Sequence, residues 1–269
     1  MEISHTAQLT AVLRSMDEEV SQDTLAKYFI SNEAITIGKK YLTEIDPFSV
    51  RRVALRNRYI ESIIKQIITT NCQVVYLASG LNSTAYRLKE LNSCKVIEVD
   101  LNNMIDYKQE KINGLCEKGI ITESKNIVYL KLDLNNTSKL FSLLKEHLSA
   151  DKKTIFILEG IIYYLEKSIL KNIIELAKEN YKNCLFIVDY WPSGKESDPV
   201  YKKMSDLFSL DFKETFKSLY SQEELRKLFS GFKCTDKSFA EIEPMFCKDT
   251  LLTGRADYVD AKIFYAYNF

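Results

Sequence analysis

Between Gln73 and Tyr190 the chain alternates short apolar runs with longer amphipathic ones, and this alternation restricts the fold more than any other feature. Runs of strand length lie at 73–78, 95–100, 126–132, 154–159 and 184–190. Helical spacing fills the intervals at about 83–91, 102–118, 137–149 and 166–180. A strand that must cross back over a helix to reach its neighbour pairs with it in parallel, by a right-handed connection. The first seventy residues contain no convincing strand. Helices are predicted over Thr6–Val20, Gln22–Asn32 and Pro47–Ile68, the last with Pro47 near its first turn and Val53, Ile60, Ile63, Ile64 and Ile67 at helical spacing. After Trp191-Pro192 the alternation stops. The stretch 193–219 is polar and aromatic, with a short helix predicted over Tyr201–Phe208. A helix over Ser221–Phe229 follows, capped by Ser221 with Glu224 three residues on. Two strands near Phe232–Phe239 and Tyr258–Tyr267, with no helix between them, should pair antiparallel at the sheet's end. The expected organisation is one domain, with a helical cap (1–69), an α/β core (70–191), a lid (192–219) and a C-terminal helix with strands (220–269).

Charge and cysteine content narrow the function classes. Lys plus Arg and Asp plus Glu both total 37 in 269 residues, so no basic excess marks a nucleic-acid binder. The start, MEISHTAQLT, lacks the basic-then-apolar build of a signal peptide. The longest apolar run, Thr154–Leu165, is too short to span a bilayer and is broken by Glu159. A cytoplasmic protein with no membrane partner is the expectation. The six cysteines form no CxxC pair and there are two histidines, so no metal site is expected and the thiols read as reduced core residues.

The first strand leads into the turn Ser79-Gly80 and then a helix for which Asn82 or Ser83 is the natural N-cap. Free N–H groups at such a helix start suit a nucleotide-like cofactor. The second strand, KVIEVD, ends in Asp100, where an acid can grip a ribose hydroxyl pair. Glu98 shares that strand face. A dinucleotide fingerprint would need glycine at 78, 80 and 83, where the chain has Ala78, Gly80 and Ser83. Glu159 interrupts an otherwise apolar run at the fourth strand's end, a costly place for an acid without a partner, and the alternative to a ligand contact there is a buried structural ion pair.

Six blocks in order give the chain a specific resemblance: DTLAKYF (23–29), RNRYIESII (56–64), QVVYLASGLNSTAYRL (73–88), VIEVDLNNMIDYKQEKI (96–112), LKLDLNN (130–136) and IFILEGIIYYL (155–165). Together they resemble the leucine carboxyl methyltransferase family, including its bacterial small-molecule O-methyltransferases. The resemblance implies a class I methyltransferase (Rossmann-like) α/β fold, a seven-stranded mostly parallel sheet with an antiparallel last strand, plus the helical cap. It implies S-adenosylmethionine as methyl donor and S-adenosylhomocysteine as product. Carried over residue by residue, it assigns Gly80 to the cofactor floor, Asp100 to the ribose, Asp133 and Leu134 to adenine, and Glu159 to the methionine ammonium. It assigns Arg56 and Lys27 to the methionine carboxylate. The family usually has glycine at the position of Ala78 and often an acid at that of Asn82. For Asp133 the alternative is a plain turn within DLNN. For Tyr163, Tyr164, Tyr190 and Trp191, candidates for the acceptor pocket, it is core packing.

The implied chemistry is transfer of a methyl group to the oxygen of a small-molecule acceptor, with a protein C-terminal carboxylate as the second acceptor class. Such a displacement asks mainly for positioning and exclusion of water. A neutral hydroxyl would also need a base. His147 lies on a helix away from the strand tips; His5, in the cap, reads as part of a frayed terminus, the alternative being a position near the pocket. The scarcity of histidine therefore points to an acceptor that is already acidic: a carboxylate, or an acidic enol or phenol. Two rival readings share the fold, a cofactor-binding interaction module and an enzyme using the sulfonium for other chemistry.

Overall fold

A computed structural model describes residues 3–255 and 260–269. Before the sheet come α1 (His5–Met16), α2 (Glu18–Ser21), α3 (Asn32–Glu44) and α4 (Ser49–Ile67). The core then runs β1 (Cys72–Leu77), α5 (Thr84–Arg87), β2 (Lys95–Asp100), α6 (Asn102–Glu117), β3 (Ile127–Lys131), α7 (Thr137–His147), β4 (Lys153–Leu158), α8 (Lys167–Asn180) and β5 (Asn183–Tyr190). The remainder comprises α9 (Pro199–Asp206), α10 (Gln222–Leu228), β6 (Lys233–Ser238), α11 (Phe239–Phe246) and β7 (Lys262–Tyr267).

The seven strands form one sheet in the order β3-β2-β1-β4-β5-β7-β6. β1 to β5 pair in parallel, and β7 runs antiparallel to both β5 and β6. This is the predicted mostly parallel α/β sheet. Period-two alternation divides its side chains between two cores. Val75, Leu77, Phe156, Leu158 and Phe186 face α7, α8 and α10, while Val74, Tyr76, Ile155, Ile157 and Leu185 face α4 and α11. The order fixes where a ligand can enter. From β1 the chain moves outward to β2 and β3, then returns to β4 on β1's other side. The carboxyl ends of β1 and β4 therefore flank the switch-point crevice of an open parallel sheet.

Several helix predictions need correction. Residues 22–31 hold only a 3₁₀ turn, Ala26–Tyr28. The Asp23 carboxylate accepts from the N–H groups of Leu25 and Ala26, offering the backbone an alternative to a helix. The next helix, α3, was not anticipated; Ser31 caps it by accepting from the Ala34 N–H. α4 starts at Ser49 rather than Pro47, because Asp46 folds back to accept from the Phe48 N–H. Residues 83–91 form one α-turn and then a 3₁₀ segment, Lys89–Ser93, since buried Leu88 is extended. A helix does separate the last two strands: α11 opens on a capping box, Ser238 with Glu241. The α10 capping box is as predicted. β6 and β7 pair antiparallel as expected, and positions 258–259 of the expected last strand lie outside the described residues.

Candidate active site

At the carboxyl end of β1 the backbone turns through two residues of positive φ, Ala78 (φ 57°) and Gly80 (φ 49°), with Ser79 between them. Glycine adopts that region freely and alanine does so at a cost. The turn brings the Gly80 N–H to 2.7 Å from Asp100 Oδ2, while Oδ1 accepts from the Leu101 N–H, also at 2.7 Å. Burial raises the Asp100 pKa, and these two amides only partly offset it.

The carboxyl end of β4 supplies the second acid. Glu159 accepts from Arg56 Nε through Oε1 and from Asn82 Nδ2 through Oε2, each at 2.9 Å. Arg56 reaches in from α4, and its Nη1 donates to Asp189 Oδ2 at 3.1 Å. Asp189, near the end of β5, also accepts from the Gly160 N–H. Burial works against the Arg56 charge, but Asp189 and Glu159 outweigh it and hold the guanidinium more firmly protonated. For Asp189 the balance reverses: burial raises its pKa despite Arg56 and the Gly160 amide.

Arg56, Gly80, Asn82, Asp100 and Glu159 line one cavity of about 800 Å³, and Asp189 supports it through Arg56 without lining it. Its floor is the β1 and β4 ends. One wall is α1, with His5, Thr6, Ala7, Thr10 and Arg14; the roof is the segment 211–215 with Lys217. Arg14 is buried and donates to Asp23 at 2.7 Å and to the Leu81 carbonyl at 2.8 Å. The roof is tied down by Ser4 Oγ donating to Glu214 at 2.8 Å and by the Lys217 N–H donating to the Tyr163 carbonyl at 2.7 Å. Two buried hydroxyls at the walls, those of Tyr76 and Ser79, lack a hydrogen-bond partner among the described residues, while those of Thr6 and Tyr164 face each other. A closed protein rarely leaves such groups unpaired away from a ligand or water site.

Of the predicted site residues, Arg56, Gly80, Asp100, Glu159, Tyr163 and Tyr164 line this cavity. Five do not. Lys27 has half of its side chain exposed and pairs with Glu18 at 3.3 Å. Asp133 is exposed and accepts from the Asn135 N–H at 2.9 Å, as in the plain-turn reading of DLNN. Leu134 is buried in the core against the α7 side. Tyr190 is buried and directs its hydroxyl to Asp236 at 3.5 Å. Trp191 packs under the Arg52 guanidinium, 4.9 Å from its ring. Conversely, His5 is not a frayed end: it opens α1 and lines the cavity. Asp189, Arg14, Tyr76 and Asn82 were not singled out as site residues. Asp189 was detectable, as an acid in the apolar run LFIVDY, by the argument that identified Glu159.

Glu98 has a separate role. Its carboxylate is 1% exposed and lies 2.7 Å from Lys108 Nζ, itself fully buried. Burial raises its pKa and Lys108 pulls it back. Among the described residues no cluster of His, Cys, Asp and Glu is arranged to hold a metal ion, and no helix is long and apolar enough to cross a membrane. All six cysteines are unpaired.

Comparison with known proteins locates this arrangement. Residues 4–177 match the leucine carboxyl methyltransferase family. A Mycobacterium ulcerans protein named for S-adenosyl-L-methionine-dependent methyltransferase is 29% identical over 119 residues, 39% of this chain and 38% of the relative. A similarly named Mycobacteroides abscessus protein is 25% identical over 146 residues, 51% of this chain and 45% of that one. The chain thus spans less than half the length of these curated relatives. The fold matches a Thermobifida fusca protein described as a methyltransferase, with a TM-score of 0.70 at 10% identity over 98% of this chain and 94% of that one. It also matches magnesium protoporphyrin IX methyltransferase from Synechocystis with bound S-adenosylhomocysteine, at a TM-score of 0.53 and 12% identity, over 97% of this chain and 100% of that one.

Proposed function

The chain belongs to the leucine carboxyl methyltransferase family, and on that premise we propose that it transfers a methyl group from S-adenosylmethionine to an oxygen, carboxylate or acidic hydroxyl, of a small-molecule acceptor. The observation that carries this reading is the convergence of Asp100, Glu159 and Arg56 on one cavity at the sheet's switch point.

The residues present fit the cofactor. Asp100 stands at the β2 tip with both oxygens oriented by backbone amides, and its lone pairs serve ribose hydroxyls. Glu159 is the acid for the methionine ammonium, held in place by Arg56 and Asn82. Arg56 and Arg14 supply positive charge for the carboxylate. The unpartnered Tyr76 and Ser79 hydroxyls are further candidates for its polar atoms. Bound S-adenosylmethionine supplies a methyl group on a cationic sulfur. The protein's part is to hold an acceptor oxygen in line and keep water out, which the roof over 211–217 and the α1 wall support. That roof also favours a small acceptor over a protein terminus.

Calorimetric titration tests the cofactor half. S-adenosylhomocysteine should bind the wild type, and Glu159→Gln and Asp100→Asn should each weaken it by about tenfold or more, as loss of a charged hydrogen bond does. No binding to the wild type overturns the reading. Binding without methyl transfer across a panel of oxygen acceptors overturns the transferase half.

A further inference from the structure

We propose that the lid-side lobe of the cavity is a hydroxyl-acceptor site in which His5 receives the acceptor's proton, and that its ligand is a planar phenol or enol rather than a carboxylate. The inference rests on the methyl-transfer reading above and narrows it.

The cavity has two chemically distinct ends. One carries Asp100, Glu159 and Arg56, the cofactor set. The other is aromatic and lies where α1 meets the lid. There the His5 ring stacks on Phe212, with centroids 5.2 Å apart and planes 26° from parallel. Tyr164, beside Thr6 of α1, sits against Tyr163 at 4.9 Å and both contact Phe216, while the Tyr163 hydroxyl reaches back to Arg56 and so joins the two ends. Flat apolar walls of this kind favour a flat ligand.

The charges favour a hydroxyl over a carboxylate. A carboxylate needs no base but asks for a cation of its own, and none is spare at this end: Arg56 and Arg14 are assigned to the cofactor's carboxylate, and the two lid lysines have other partners. Arg56 is held by Glu159 and Asp189, and Arg14 by Asp23. Lys213 donates to the Leu210 carbonyl, and Lys217 lies 4.0 Å from Glu166. His5 differs: among the described residues neither ring nitrogen makes a hydrogen bond. An imidazole with free nitrogens at a cavity wall can take a proton from an acceptor hydroxyl placed beside it. Charged groups of both signs line the cavities on either side of it. Asp211 and Glu214 line the roof, Glu214 also accepting from Ser4, and Glu33 on α3 lines a smaller cavity on the other side of His5. Lys213 and Lys217 line the same cavity from the lid.

The step balances. The acceptor O–H bond breaks and its proton moves to a His5 ring nitrogen. The freed electron pair forms the new O–CH₃ bond as the methyl carbon's bond to sulfur breaks. That bonding pair remains on sulfur and cancels the sulfonium charge, and His5 later releases the proton to solvent.

The test uses 4-nitrophenol as probe, on protein saturated with S-adenosylhomocysteine, at a pH where the free phenol is neutral. The wild type should bind it with the phenolate absorption band. His5→Gln should retain the probe within about threefold in affinity but lose about tenfold or more of the bound phenolate. Phe212→Leu should weaken probe binding by about fivefold, the loss of one ring stack. His147→Gln, altered outside the cavity, should behave as wild type. Because the chain has two histidines, the His147→Gln spectrum identifies the His5 C2–H proton resonance. That resonance should move toward its protonated position when 4-nitrophenol binds. Equal phenolate in wild type and His5→Gln overturns the proposal, and so does an unmoved His5 resonance. Binding of benzoate with exclusion of 4-nitrophenol overturns it too. Failure of S-adenosylhomocysteine to bind sinks the methyl-transfer reading itself, whereas its binding with 4-nitrophenol excluded sinks only this inference.

Discussion

At the scale of single residues, Asn82 shows how a departure from a family pattern can be complementary to its surroundings. Its Nδ2 donates to Glu159, and its Oδ1 accepts from the Thr84 N–H. An aspartate would keep the second bond and place a second carboxylate against Glu159. Asn82→Asp should therefore cost about 1–3 kcal/mol at neutral pH, measured by urea unfolding. The crowded pair raises one native carboxyl pKa above its unfolded value. The native variant then binds more protons than the unfolded one, so its deficit should shrink as pH falls toward that raised value. Glu98 makes the opposite point. It shares a strand face with Asp100, yet it neutralises the buried Lys108 and does not line the cavity. Glu98→Ala should leave S-adenosylhomocysteine affinity within about threefold of wild type for any molecule that folds, but cost about 3–5 kcal/mol of stability by stranding Lys108. An affinity loss equal to that of Asp100→Asn would place Glu98 in the site after all.

At the scale of elements, legibility followed the strength of the local pattern. The five parallel strands could be read because each is a short apolar run bounded by polar residues, and burial on both faces of all but the edge strand β3 leaves few alternatives. α3 and α11 were missed for different reasons. α11 carries a readable Ser238-x-x-Glu241 signature, but Pro244 and the adjoining strand obscure it. α3 has Gly38 at its centre, which weakens any helix reading by propensity alone. The structure explains that glycine: a Cβ there would lie 2.6 Å from Val12 Cγ1, on the buried face of α1. Gly38→Ala gains about 1 kcal/mol in helix propensity but forces an overlap costing about 1–3 kcal/mol. A net loss of about 1 kcal/mol is expected in urea unfolding. Because α1 carries Arg14 and His5 into the cavity, S-adenosylhomocysteine affinity should fall as well. Unchanged affinity would mean that α1 is positioned independently of α3. The site was legible in the same graded way. Gly80, Asp100 and Glu159 are special residues at strand ends, visible without a structure. Which strand ends face the crevice is set by strand order, and this is why Asp133, Tyr190 and Trp191 were grouped with them although none lines the cavity.

At the scale of the molecule, a buried ionic network determines whether the helical cap and the sheet behave as one body. Arg14 of α1 and Arg87 of α5 both pair with Asp23, at 2.7 and 3.2 Å, and Arg87 continues to Glu61 of α4. Asn57 of α4 donates to the Ser21 carbonyl and to Glu61. Burial alone would raise the Asp23 pKa, but Arg14 and Arg87 together hold it below the ordinary carboxylate value. The native state thus binds this proton more weakly than the unfolded chain. Its contribution is complete above the unfolded aspartate pKa and is lost as pH falls through the lower native value. Asp23→Asn should cost about 3–5 kcal/mol at neutral pH, since two buried guanidinium groups lose their shared partner. The gap between wild type and variant should stay constant from neutrality to about pH 5 and narrow below about pH 4. A second readout separates the network from a local contact. If Asp23 joins cap to sheet, its replacement should expose α1 amides to hydrogen exchange before those of β1 and β4, and should weaken S-adenosylhomocysteine binding through the displaced Arg14. A uniform rise in exchange across cap and sheet would instead show that the two unfold together without this link.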